Sequence, residues 1–137
     1  MVINMNIAFL NLCHTDPDIV ARAASKLTQH DDIDMYIHVD LKSDIEPFLT
    51  ALANIPRVYF IDDRVKLYWG GFNAIKATIA MLRQSLSSPV VYDYFIIFQN
   101  LDYPIRTNDQ IIQFFLLEYL RDIFQKPVHN RLIDRVE

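Results

Sequence analysis

Short, continuous apolar runs, each breaking off abruptly into polar residues, constrain this chain more than any other feature. Asn6–Leu12 (NIAFLNL) ends at Cys13-His14-Thr15, and Met35–Val39 (MYIHV) ends at Asp40. Tyr94–Phe98 (YFIIF), inside a strand-like segment from Tyr92, ends at Gln99-Asn100 and Asp102. Runs of this length read as strands, and the last reads as a strand buried on both faces. Arg57–Ile61 (RVYFI), behind Pro56, gives a further strand, and Val65–Tyr68 gives a short extra one.

Between these runs the apolar period changes from two to about 3.6. Ile19, Val20, Ala23, Ala24 and Leu27 follow Asp16-Pro17, which offers an N-cap and a first-turn proline. Ile45, Phe48, Leu49 and Leu52 form the inner face of a second helix that Asp44 can cap. A third starts at Gly71 or Asn73 with Ile75, Ile79, Leu82 and Leu86 as its stripe. The fourth, capped by Asn108, runs over 109–125 to a stop at Pro127, and its Ile111, Ile112, Phe114–Leu117, Leu120, Ile123 and Phe124 leave almost no polar face. Such a helix expects cover on every side. The alternation predicts an α/β fold: a Rossmann-type, mostly parallel sheet with helices on both faces.

With 137 residues the chain suffices for one domain, 1–127, followed by a tail, 128–137. Thirteen basic against seventeen acidic residues leave a net charge of −4 with no basic block, which argues against nucleic-acid binding. Cys13 is the single cysteine, so no intrachain disulfide is expected. No apolar run approaches a membrane span and no leader is visible, so the expected location is the cytoplasm.

In an open α/β sheet, ligands bind outside the carboxyl ends of the strands. Asp40 and Asp102 both follow strands there, either as carboxylates for ribose or sugar hydroxyls or as turn formers. His14 lies beside a helix N-terminus, where it either meets an anion or remains solvated. Tyr68 and Trp69 offer stacking faces or core packing, next to Gly70-Gly71, both glycines of the chain. Arg106 suits a phosphate or a plain surface. His38 reads as a core histidine, and Asp62-Asp63 as a solvated turn rather than a metal pair.

Four blocks, Ile7–Pro17 (IAFLNLCHTDP), Tyr36–Lys42 (YIHVDLK), Val65–Asn73 (VKLYWGGFN) and Tyr92–Asn108 (YDYFIIFQNLDYPIRTN), together resemble the core-2/I-branching family of N-acetylglucosaminyl- and xylosyltransferases. The resemblance implies a GT-A-like fold and inverting transfer of an N-acetylglucosamine- or xylose-like sugar from a UDP-sugar to a glycan acceptor. It also implies no metal and no cofactor, with basic side chains holding the diphosphate. Carried over, Asp40 contacts the uridine, Tyr68, Trp69 and Gly70 line the donor side, and Asp102 stands where other GT-A enzymes place a metal-binding acidic motif. His14 and Arg106 complete the expected donor set. Gln99-Asn100-Leu101 departs from the family's small Ser-Gly or Cys-Gly pair and is expected to narrow the donor pocket.

The family's catalytic glutamate and diphosphate-holding basic residues lie downstream of the matched blocks; Glu118 and Glu137 sit in no matching motif, and the catalytic residue stays unassigned. The resemblance therefore predicts a C-terminally shortened transferase, inactive alone, which at the inner membrane face would serve surface-polysaccharide synthesis. The competing expectation is a non-catalytic nucleotide-sugar-binding domain, or one that dimerises through the apolar helix 109–125.

Overall fold

The computed structural model describes residues 4–125. Its elements alternate: β1 (Ile7–Cys13), α1 (Pro17–Leu27), β2 (Ile33–Val39), α2 (Glu46–Leu52), β3 (Val58–Phe60), α3 (Asn73–Leu86), β4 (Tyr94–Gln99) and α4 (Asn108–Gln125). The four strands form one sheet in the order β3-β2-β1-β4, with every pairing parallel. Asn11 of β1 lies between Ile37 of β2 and Phe98 of β4, which fixes the register across the centre.

Side-chain alternation sorts each strand between two cores. Ile7, Phe9 and Cys13, with Met35, Ile37 and Val39, meet Val20, Ala24 and Leu27 of α1, Phe48 and Leu52 of α2, and Ile111, Ile112, Phe115 and Leu116 of α4. Ala8, Leu10 and Leu12, with Tyr36, meet Ala77 and Met81 of α3 on the other face. Helices therefore cover both faces, as the alternation predicts. The order reverses direction between β1 and β4. That reversal opens a crevice at the carboxyl ends of those strands, the topological switch point of an open α/β sheet.

Several local expectations need correction. β4 is not the most buried strand: β1 and β2 are buried along their whole length, while Ile97 of β4 is 53% exposed. The reason is position, since β4 is the edge of the described sheet. Val65–Tyr68 forms no strand. The inner face of α3 is Ala77, Met81 and Ser85, while Ile75, Ile79 and Leu86 point outward. That face buries one large side chain, Met81, between the small Ala77 and Ser85, which let the helix lie close to the sheet. Likewise Leu49 of α2 is turned outward.

Caps also differ. Asp16 holds the N-cap position of α1 in the left-handed region (φ 52°), and its carboxylate makes no capping bond; only its carbonyl accepts from Ile19 and Val20. At α4 the cap is a reciprocal box. Thr107 Oγ1 accepts from the Gln110 amide at 3.2 Å and Gln110 Oε1 accepts from the Thr107 amide at 3.1 Å. Asn108 is free of that duty and donates to the Lys26 carbonyl instead. Pro127 and the 128–137 tail lie outside the described residues. The α4 helix is amphipathic rather than apolar all round: one face packs on the core, while Gln113, Glu118, Arg121 and Asp122 interrupt the rest. A homodimer through it finds no support. No described helix is long and apolar enough to cross a membrane.

Candidate functional site

Backbone amides at the carboxyl edge of the sheet need partners once the strands end, and side chains from three segments supply them. After β1, Asn100 Oδ1 accepts from the amides of His14 (2.7 Å) and Thr15 (3.0 Å), tying the β4 exit to the β1 exit. Ser43 Oγ donates to the His14 carbonyl from the other side. The His14 backbone is thus held twice while its ring stays exposed.

Asp40 organises the next loop. It is only 4% exposed, and its Oδ1 accepts from the amides of Lys42 (3.0 Å) and Leu67 (3.1 Å). Lys42 Nζ lies 3.6 Å from Oδ2. Burial alone would raise the Asp40 pKa, but the two amides and the ammonium reverse that and hold the carboxyl below its ordinary value. Arg64 completes the bracket by donating to the carbonyls of Val39, Asp40 and Ser43. Beneath it, His38 accepts the Val65 amide on Nε2 (3.0 Å), which requires the neutral ring with its proton on Nδ1. Burial lowers its pKa in the same sense. Cys13 is fully buried, and its thiol is pushed up to about 12 by that burial, so it is a core residue rather than a nucleophile.

The segment before α3 turns sharply. The Gly71 amide donates to the Tyr68 carbonyl at 2.9 Å, and Gly70 takes φ 69° at the third position of that turn. Gly70 supplies the conformation, and a Cβ on Gly71 would make a tight 3.0 Å contact with the Tyr68 carbonyl oxygen. The turn throws Trp69 into solvent, at 104% relative exposure.

These segments enclose a cavity of about 510 Å³ at the β1/β4 crevice, within the usual range of small-molecule sites. Five of the seven expected donor residues line it: His14, Asp40, Tyr68, Trp69 and Gly70. The other two do not. Asp102 bonds the Gln99 amide at 2.9 Å as a local turn carboxylate and faces a separate small hollow with Tyr103 and Pro104. Arg106 lies on a groove of the α4 surface with Gln110 and Phe114, and its carbonyl accepts from Lys26 Nζ. Gln99 and Asn100, the departure from the family pattern, do form part of the cavity wall. Lys42 and Leu67 also line it without having stood out in the sequence. Their signal was weak: one lysine in a polar loop and one leucine outside any periodic stripe. Among the described residues no group of three or more His, Cys, Asp or Glu side chains is placed to hold a metal ion.

The sequence profile of the Core-2/I-Branching enzyme family matches residues 7–129 of this chain. Xylosyltransferase 1 of Homo sapiens is 30% identical over 130 residues, which cover 93% of this chain and 13% of that protein. Xylosyltransferase of Ciona intestinalis is 29% identical over 112 residues, covering 80% of this chain and 13% of that protein. Xylosyltransferase 2 of Homo sapiens is 28% identical over 113 residues, with coverage of 80% and 13%. The chain spans 13% to 16% of the length of the xylosyltransferase 1 relatives it matches.

Proposed function

Because this chain belongs to the core-2/I-branching enzyme family, we propose that it forms the donor-binding part of a glycosyltransferase, holding a UDP-sugar while the sugar passes to a glycan acceptor. One observation carries the reading: residues at the exits of β1, β2 and β4 and in the turn before α3, distant in sequence, line one cavity at the switch point of the sheet. Within it Asp40 would accept from the uridine, Tyr68 would stack on a flat ring, and His14 would meet the polar part of the donor. Asp102 and Arg106, which face elsewhere, are left out of the contact set. The similarity to xylosyltransferases favours UDP-xylose over UDP-N-acetylglucosamine.

Transfer would proceed with inversion and without a metal, the leaving diphosphate being stabilised by cationic side chains. No base is assigned: Glu118 is paired with Arg121 on α4 and does not line the cavity. A cytoplasmic site of action, at the inner membrane face, goes with this reading.

Calorimetric titration with UDP, UDP-xylose and UDP-N-acetylglucosamine, with and without EDTA, tests it. Binding that survives EDTA, weakens in Asp40→Asn and His14→Ala, and is unchanged in Arg106→Ala is the expected result. A folded, monodisperse protein that binds none of the three ligands overturns the assignment.

A further inference from the structure

Lys42 is the only lysine or arginine in the cavity wall among the described residues. Its Nζ sits 4.5 Å from the centroid of the Tyr68 ring and 3.6 Å from Asp40 Oδ2. Asp40 Oδ1 is already committed to two amides, so Oδ2 is the oxygen left to meet a ligand. The ring face of Tyr68, which is 56% exposed, is the surface a flat base would stack on. One ammonium therefore covers both groups that the donor-site reading gives to the nucleoside. Its own side chain is 43% exposed, on a flexible stem, so it is free to move.

Contacts of this kind are readily given up: the lysine end of the ion pair is half-exposed, and the cation–π contact lies on an exposed ring. A nucleoside entering the cavity has to displace the ammonium from both. An uncharged nucleoside returns nothing for that loss. A diphosphate does, since an ammonium–phosphate hydrogen bond is charge-assisted and stronger than either contact given up.

We propose that Lys42 is the selector of this site: it shields Asp40 and Tyr68 and is drawn off them by the phosphates of a nucleoside diphosphate, so that the charged ligand is favoured over the bare nucleoside. The proposal rests on the donor-site reading and adds to it a residue and a basis for discrimination. The Lys42 amide, which bonds Asp40 Oδ1, is retained in any substitution other than proline, so the loop bracket survives.

The test is titration of wild type, Lys42→Met and Lys42→Arg with UDP and with uridine, after circular-dichroism melts establish that each variant is folded. In Lys42→Met, UDP affinity should fall by about tenfold or more while uridine affinity holds or rises a few-fold. Lys42→Arg should retain the preference for UDP. Equal losses for both ligands would make Lys42 a structural residue and overturn the proposal, as would no change for either. If wild type binds UDP normally and only the selectivity result fails, the donor-site reading stands without the selector. If folded wild type binds neither ligand, both fall together.

Discussion

Asp34 and Asp40 stand at the two ends of β2 on the α3 side of the sheet, equally buried at 5% and 4% exposure, yet their carboxyls shift in opposite directions. At the carboxyl edge Asp40 is met by two backbone amides and an ammonium, and its charged form is favoured. At the amino edge Asp34 is met by the Tyr92 phenol and by Arg57 Nε at 3.6 Å. Burial raises its pKa, and those two partners lower it without closing the gap. Arg57 is divided: its guanidinium also donates to the carbonyls of Thr28 and His30 and reaches Asp31. Tyr92 is shared in turn with the Tyr36 hydroxyl at 3.0 Å. Equal solvent exposure therefore does not decide the fate of these carboxylates: Asp34 has more protein packed around it and fewer donors to itself, and both favour its neutral form.

The largest way to break this contrast is Asp40→Ala, which strands the Lys42 and Leu67 amides. Urea unfolding should show a loss of about 3 kcal/mol, against roughly half that for Asp40→Asn, whose amide oxygen still accepts. A loss under about 1 kcal/mol in the alanine variant would mean the bracket does not depend on the carboxylate. Arg57→Met comes next, at about 2 kcal/mol, because it uncovers the carbonyls of Thr28, His30 and Ile33 and leaves Asp34 with the phenol alone.

Asp34→Asn sharpens the comparison by its sign. Folding disfavours the Asp34 charge, so its removal should change stability at pH 7 by less than about 1 kcal/mol, or raise it, where Asp40→Asn lowers it. The pH profiles should diverge accordingly. The folded pKa of Asp34 is raised, so its contribution to stability is present below the unfolded value of about 4 and lost as pH rises through the folded one. Asp40 is lowered, so its contribution is present above about 4 and lost as pH falls through the folded value. Denaturation midpoints measured from pH 3 to 7 should rise more steeply with pH in Asp34→Asn, and less steeply in Asp40→Asn, than in wild type. The smallest effect is that of Lys42→Met on stability, within about 0.5 kcal/mol, since its ion pair is partly solvated.

Legibility in the sequence followed the range of the interaction. The runs around Leu10 and Ile37 were readable because a fully buried strand needs no partner identity to be recognised. The burial of Phe95-Ile96-Ile97 was overestimated because an edge strand has the same local pattern as a central one. In α3 the large residues Ile75 and Ile79 outweighed Ala77 and Ser85 on any hydropathy scale, whereas close packing favours the small ones. The Thr107–Gln110 box was present at its usual spacing, but Asn108 is as good a cap by composition. At the site, Asp40 and the Trp69-Gly70-Gly71 turn announced themselves by residue type and position. Lys42 could not, since its meaning arises only when Tyr68, remote in sequence, folds over it.

The glycine turn has a spectroscopic consequence. Trp69 is the chain's single tryptophan, and it is as solvated in the native fold as it would be in an unfolded chain. Its emission should therefore be red-shifted in both states and nearly blind to global unfolding. A ligand that settles against it in the cavity would change its surroundings without competition from any other indole. The same residue that makes fluorescence a poor thermometer for this fold makes it a single-site reporter of occupancy.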